Sequence, residues 1–300
     1  MQVIELYESV RKRLGKVPEV LDAKAEADQV LRHRLGLSPT ERLLFARGEV
    51  GPAAADAVEQ AIARREEGAP LAYALGRSDF GGHSFIVTPA VLIPRPETEW
   101  LVRRAEDYLE DRRFSKRRVA DADGVAGLGE LQLLDLGCGS GIIGITLALR
   151  HPGLRVTLAD VSPAALEVAE ANAKKHGVLE RCEFREGDWF AWARRRERYD
   201  LILCNPPYVT RRDDPELEAQ VREHEPAIAL FLDGDPEEFF YRLGRKAVSH
   251  LNSGGLFAVE VGYDTAWPAR TAFDRINALT RGKGIHDFSG IERVIWGIRR

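Results

Sequence analysis

Apolar positions near the start of the chain recur with a period of about 3.6 residues, the repeat of an α-helix. Val3, Leu6, Tyr7, Val10 and Leu14 form one stripe, and Leu21, Ala25, Val30, Leu31 and Leu35 a second, so two amphipathic helices are predicted. Ser38-Pro39-Thr40-Glu41 reads as the start of a third, with Ser38 as N-cap, Pro39 in the first turn and Glu41 reaching back to the cap. A further helix is predicted from about Ala53 to Glu67, ending at Gly68. Residues 1–79 are therefore expected to form a small helical-bundle domain.

The period changes at Phe80. FGGHSFIVTPAVLI alternates, carries β-branched residues and surrounds a Thr88-Pro89 turn, which predicts a β-hairpin linker over residues 80–94. Beyond it, PRPETEWLVRRAEDYLE begins with proline and acidic residues and continues as an amphipathic helix. Arg112 to Glu130 follow no period and read as a loop. Apolar runs and helical stretches then alternate: LQLLDLG, GIIGITLALR, RVTLADV, AALEVAEANAKKHG, CEFREGD, WFAWARRRERY, DLILCNPP. Such alternation predicts βαβ units and a parallel sheet with helices on both faces, so residues 95–300 are expected to form an α/β domain.

Composition narrows the partners. The 300 residues are 44% hydrophobic and 30% charged, enough for two soluble domains. With 43 Lys and Arg against 47 Asp and Glu, the net charge of −4 offers no general attraction to nucleic acid or to an anionic membrane. A protein or small-molecule partner is expected, and a monomer is the default. Cys138, Cys182 and Cys204 are too scattered for a disulfide framework or a zinc site, which fits a reducing cytoplasm. Cys138 and Cys204 read as small buried spacers. The seven histidines form no H-E-x-x-H or triad pattern, so no metal is predicted. The N-terminus lacks the apolar core of a signal peptide, and no stretch approaches membrane-spanning length.

Two motifs carry the chemistry. LLDLGCGSGIIG places Gly137, Gly139, Gly141 and Gly144 between a strand and its helix, where missing Cβ atoms let the backbone approach a nucleotide-like ligand. Gly139, Gly141 and Gly144 satisfy G-x-G-x-x-G and Asp160 ends the next strand, so this pattern alone leaves a dinucleotide open. Asp160 could instead cap the following helix, although Ser162-Pro163 already supplies a cap. The second motif is LILCNPPYV, in which a buried strand stops at Asn205, Pro206, Pro207 and Tyr208. The prolines have no N–H and fixed φ, so nearby carbonyls are left without ladder partners. The Asn205 side-chain oxygen and the Pro206 carbonyl could each accept one N–H of an NH₂ group, while Tyr208 lies along a planar amide or base and excludes water.

Asp135-Leu136-Gly137 resembles motif I of the S-adenosylmethionine-dependent methyltransferases, and Gly187-Asp188-Trp189 resembles their adenine-binding loop. By that resemblance the loop Gly137, Cys138, Gly139, Ser140 and Gly141 would hold the methionine part of the donor. Asp160 would hold the ribose hydroxyls, Asp188 and Trp189 the adenine, and Asn205 would face the donor. Asn-Pro-Pro-Tyr is shared by enzymes that methylate adenine N6 and by those that methylate a glutamine amide, and the motif does not separate them.

VLIPRPETE, with NPPYV, EPAIAL, SGGLFAVEVGYD and DFSGIERVIWGIR, closely resembles the peptide chain release factor glutamine N5-methyltransferases, the PrmC or HemK family, over nearly the whole chain. The resemblance implies a Rossmann-like class I S-adenosylmethionine-dependent methyltransferase domain after an N-terminal domain that recognises substrate. It implies methyl transfer to the glutamine of the Gly-Gly-Gln motif in class I release factors, with Asn205 to Tyr208 gripping that glutamine. Arg95 and Glu97 would order the loop near the donor or pair across a hinge, and Glu260 reads as ordering a sheet edge. FLDGDPEEFF and Thr265 depart from the family pattern. The rival readings are a ribosomal protein glutamine methyltransferase, a nucleic-acid adenine N6-methyltransferase, and a regulatory protein that binds S-adenosylmethionine without catalysis.

Overall fold

Helix α1 (Val3–Leu14) buries the stripe Val3, Leu6, Tyr7, Val10 and Leu14. The computed structural model describes residues 1–123, 131–210 and 217–300, and of 113–123 the backbone only. Helix α2 (Ala23–Leu35) starts later than its apolar pattern implies, because the Asp22 carboxylate caps it by accepting from the Lys24 and Ala25 N–H groups at 3.0 and 2.9 Å. Leu21 thus falls outside the helix and is 98% exposed, and the buried face is Ala27, Val30 and Leu31, with Ala25 turned outward. Helix α3 (Pro39–Leu44) has the reciprocal capping box of Ser38 and Glu41. Helices α4 (Pro52–Glu66) and α5 (Leu71–Leu75) complete a core with α1 and α2 through Val58, Ala61, Ile62 and Leu75.

The chain divides into two compact units: Met1–Ser78 with Val87–Pro89 and Leu217–Glu225, and Asp79–Ile86 with Ala90–Glu216 and Pro226–Arg300. Strands β1 (Arg77–Phe80) and β2 (His83–Ile86) pair as a hairpin. Its turn lies at Gly81-Gly82, with φ of +58° and +85°, not at Thr88-Pro89. Glycine enters this left-handed region without a steric penalty, whereas proline is fixed near −65°.

Helix α6 (Glu99–Asp123) follows a 3₁₀ turn at Pro96–Thr98 and runs through much of the expected loop. RRFSKRRVADAD lacks an apolar period, but no Gly or Pro interrupts it before residue 124, so helical propensity carries the backbone on. The rest of that expected loop, 124–130, lies outside the described residues.

The sheet then begins with β3 (Leu131–Leu136), α7 (Ile142–Arg150), β4 (Leu154–Asp160), α8 (Pro163–Lys175), β5 (Cys182–Glu186) and β6 (Tyr199–Cys204). WFAWARRRERY, expected to be helical, forms turns instead, because Trp189 adopts φ +48° and breaks any helix there. Short pieces follow: β7 (Val209–Thr210), α9 (Ala219–His224), α10 (Ala227–Leu230) and β8 (Phe231–Leu232). Helix α11 (Pro236–His250), β9 (Leu251–Glu260), α12 (Ala266–Asp274), β10 (Leu279–Arg281), β11 (Ile285–His286) and β12 (Glu292–Arg299) close the chain. The FLDGDPEEFF departure supplies the start of α11, where Asp235 accepts from the Glu238 N–H at 2.8 Å.

Strand order is β10-β12-β9-β6-β3-β4-β5, with β11 beside β12. Strands β3, β4, β5, β6 and β9 are parallel, while β10, β11 and β12 join antiparallel. Alternate residues feed two cores. Leu133, Leu201, Leu203 and Leu256 pack with α6, α7 and α8, and Leu134, Leu136, Ile202, Phe257 and Val259 pack with α11 and α12. Two covered faces explain why these strands read as continuous apolar runs. The order reverses at β3, with β4 on one side and β6 on the other, so the crevice beyond their carboxyl ends lies open to a ligand. Among the described residues no helix is long and apolar enough to cross a membrane.

Gly144 is a point of close approach between α7 and the sheet. A Cβ built there would lie 2.7 Å from Val156 Cγ1 and 3.1 Å from Leu158 Cδ2. Gly144→Ala is expected to destabilise the protein by about 1–3 kcal/mol, read as a lowered Tm, through overpacking. Gly153→Ala, where an added Cβ meets nothing within 4 Å, should leave Tm nearly unchanged. Equal Tm values for the two variants would contradict this packing.

Candidate active site

A cavity of about 620 Å³ opens at that crevice, within the second unit. Its floor is the glycine loop after β3. Gly137 and Cys138 donate backbone N–H bonds to the Ala159 carbonyl at 2.8 and 3.0 Å, fixing the loop on β4. Gly137 and Gly139 have φ of +71° and +52°, and a Cβ at either would meet nothing within 4 Å. The backbone is thus bare where a ligand would approach it. Below the loop, buried Asp135 accepts from the Gly144 N–H at 2.8 Å through Oδ2, while Oδ1 has no partner among the described residues. Burial pushes this carboxyl up to about 7, against that hydrogen bond.

Asp160 does not cap the next helix, since Ser162 Oγ does so by accepting from the Ala165 N–H at 3.2 Å. Instead Asp160 Oδ2 accepts from the Gly139 N–H and Oδ1 from the Ser162 N–H, both at 2.9 Å. This locks the carboxylate at the cavity rim with lone pairs left for hydroxyl donors. Asp188 and Trp189 line the same cavity, and the Trp189 ring meets Phe239 edge-on at 5.3 Å between centroids. The left-handed backbone of a bulky residue costs free energy and re-aims its side chain, which the Phe239 contact helps to hold.

Asn205 and Pro207, which follow the neighbouring strand β6, also line the cavity. Among the described residues no backbone N–H is paired with the Pro206 carbonyl. The structure thus brings Gly137, Cys138, Gly139, Ser140, Asp160, Asp188, Trp189, Asn205 and Pro207 to one cavity, with Gly141, Pro206 and Tyr208 outside its lining. Gly141 is the N-cap of α7, at φ +79°. The Tyr208 ring packs on Gly262, where an added Cβ would lie 2.8 Å from Cδ2, and burial pushes its phenol up. Cys138 and Cys204 are buried, with thiols raised by that burial.

Several contributors were not singled out from the sequence. Ala90 to Pro94 and Thr98 line the cavity, as do Ile228, Phe231 and Phe239, while Arg95, which the sequence did single out, lines it as well. Asn172 on α8 donates to the Ser140 carbonyl at 2.9 Å and exchanges bonds with the Ile86 backbone at 2.7 and 2.9 Å. It thereby ties the glycine loop to β2, a role that an Asn within a helical pattern gives no sign of. Glu260 does not order a sheet edge, because β9 lies inside the sheet between β6 and β12. The Thr265 departure has a local reason, since its Oγ1 accepts from the Gly262 N–H at 3.0 Å.

Residues 126–223 match the Methyltransferase small domain family, and residues 5–76 match the PrmC N-terminal domain family. The solved catalytic domain of hMettl16 in complex with the MAT2A 3'UTR hairpin 6 shares the fold, with a TM-score of 0.53 at 13% identity, covering 82% of this chain and 81% of that one. Fold and matching family together define a class I methyltransferase. A release factor glutamine methyltransferase from Bordetella pertussis is 38% identical over 274 residues, covering 91% of this chain and 94% of the relative. One from Moorella thermoacetica is 34% identical over 300 residues, covering 97% and 99%. The chain belongs to the release factor glutamine methyltransferase family.

Burial pushes the Glu260 carboxyl up to about 7, with Glu97 adding to the rise while hydrogen bonds from Thr98 and Asn205 and the charge of Arg293 oppose it. A folded value above the ordinary 4.5 means the group's contribution to stability is complete below about 4.5 and is lost as pH rises through about 7. Glu260→Gln removes this titration, whereas Asp135 keeps its own in both proteins. The Tm difference between wild type and Glu260→Gln is therefore expected to move in favour of the variant from pH 4.5 to 7. Parallel curves of Tm against pH would contradict it.

Proposed function

We propose that this enzyme transfers a methyl group from S-adenosylmethionine to the side-chain amide nitrogen of the glutamine in the Gly-Gly-Gln motif of class I peptide chain release factors. The observation that supports this most is Asn205 at the carboxyl end of β6, lining one cavity with the bare glycine loop that follows the neighbouring β3, in a chain of this family. Such a substrate places the enzyme's work in the cytoplasm.

The cavity fits the donor by the chemistry of its walls. Gly137 to Ser140 offer backbone to the amino acid part, the Asp160 carboxylate suits paired ribose hydroxyls, and Trp189 with Asp188 suits an adenine, as a flat apolar face beside a polar acceptor. When bound, S-adenosylmethionine supplies an electrophilic sulfonium methyl, which the amide nitrogen takes with release of S-adenosylhomocysteine and a proton.

The protein's part is placement. An amide nitrogen is a poor nucleophile because its lone pair is delocalised into the carbonyl, so orientation and electrostatic support count for more than a strong base. Asn205 Oδ1 and the Pro206 carbonyl each accept one N–H of the substrate NH₂, which fixes its plane and stabilises the positive charge that develops on nitrogen. Pro206 and Pro207 keep the turn rigid, and Tyr208 braces it through the Gly262 contact.

Methyl-labelled S-adenosylmethionine should label a class I release factor but neither its Gln-substituted form nor duplex DNA. Label on DNA, or on the substituted factor equally, would overturn the reading in favour of an adenine enzyme or another residue. Binding of the donor without transfer would favour a regulator. Asn205→Ala is expected to bind S-adenosylhomocysteine within about threefold of wild type by calorimetry while kcat falls about a hundredfold or more. Near-normal turnover would remove Asn205 from this role.

A further inference from the structure

The Asn205 amide can grip an NH₂ group only if its oxygen, and not its nitrogen, faces the cavity. Nothing in the Asn-Pro-Pro-Tyr turn itself decides between these two orientations, which differ by a half-turn of one torsion. The structure shows what does. Thr98, at the end of the 3₁₀ turn Pro96–Thr98, is fully buried and lies against the cavity, and Asn205 Nδ2 donates to its Oγ1 at 3.3 Å. Thr98 and Asn205 both hydrogen-bond to the carboxyl of Glu260, itself only 1% exposed.

Sheet register explains why these groups meet. Cys204 on β6 pairs with Val259 on β9, so the next residues, Asn205 and Glu260, leave neighbouring parallel strands side by side. A hydroxyl has one proton. Because Thr98 Oγ1 accepts from Asn205, its own proton is free to go to Glu260. In the reverse amide orientation the single Thr98 proton could not serve both Asn205 Oδ1 and the ionised Glu260 carboxylate, and Oδ1 would face that carboxylate in a buried setting, where an unmatched polar contact is costly.

We propose that Thr98 and Glu260 are positioning residues that clamp the Asn205 nitrogen inward and so aim its oxygen at the substrate amide. This deepens the glutamine reading of the same site and rests on it. The clamp also sets specificity. With Asn205 Oδ1 and the Pro206 carbonyl both presented as acceptors, the site takes an NH₂ donor and repels the carboxylate of a glutamate at the same place. It further explains why the segment VLIPRPETE belongs with a turn more than a hundred residues later: Thr98 is its contribution to the grip.

Thr98→Val keeps the shape and removes the hydroxyl, whereas Thr98→Ser restores it. With a release factor as substrate, Thr98→Val is expected to lower kcat about tenfold or more, with KM and the S-adenosylhomocysteine Kd within about threefold of wild type, and Thr98→Ser to recover most of the loss. In an Asn205→Ala background, Thr98→Val should cost nothing further, because the group it positions is gone. Independently of activity, ¹⁵N spectra of the Asn205 side-chain amide should show slowed proton exchange in wild type and Thr98→Ser, and fast exchange in Thr98→Val. Unchanged kcat and unchanged exchange in Thr98→Val would overturn the clamp while leaving the glutamine reading intact. An equal loss in the Asn205→Ala background would overturn it as well, by showing a general defect of the fold. Absence of glutamine methylation by wild type would sink the functional reading, and the exchange measurement would still decide the clamp.

Discussion

The register of β6 between β3 and β9 is the constraint on which the rest depends. Leu136 pairs with Cys204 and Cys204 with Val259, so three strand ends are drawn into one row. From that row emerge Gly137, Asn205 and Glu260: a bare backbone, an amide and a buried carboxyl. Side chains alternate along a strand, so a slip of one residue in β6 would turn Asn205 away and break both cores at once. The burial of Leu201, Ile202, Leu203 and Cys204 on two covered faces is therefore what holds the site in place.

Around this row the protein accepts several unfavourable features. Asp135 and Glu260 are buried carboxyls raised by desolvation, each with one oxygen that has no partner among the described residues. Trp189 is the one non-glycine residue at positive φ among the described residues. Each lies at or next to the cavity, which is where local strain and costly polar burial are expected to collect. Asp135 holds the first turn of α7 through the Gly144 N–H, and Glu260 engages Thr98 and Asn205, so both serve to fix the position of another group.

Much of this was legible because some residue types answer a backbone demand by themselves. Glycines at a strand-to-helix turn, a double proline after an apolar run and the Ser38 to Glu41 box each imply a local geometry that the structure shows. The parallel order of the central strands was likewise legible from alternation, whereas the antiparallel β10, β11 and β12 carried no local mark. What stayed hidden depends on tertiary neighbours. Thr98 looks like one more polar residue at a helix start, and Asn172 like one more on a helix surface, until the chain brings Asn205 to the first and Ser140 to the second. Leu21 and the Thr88-Pro89 turn misled for the opposite reason: a local pattern was plausible, but the Asp22 cap and the Gly81-Gly82 turn met the backbone's needs better.

A structure of the enzyme with S-adenosylhomocysteine and a peptide containing the Gly-Gly-Gln motif would test the central claim most directly. The glutamine amide nitrogen is expected within hydrogen-bond reach of both Asn205 Oδ1 and the Pro206 carbonyl, with Asn205 Nδ2 still turned toward Thr98. A glutamine bound elsewhere in the cavity, or an Asn205 amide turned with its nitrogen to the peptide, would contradict it.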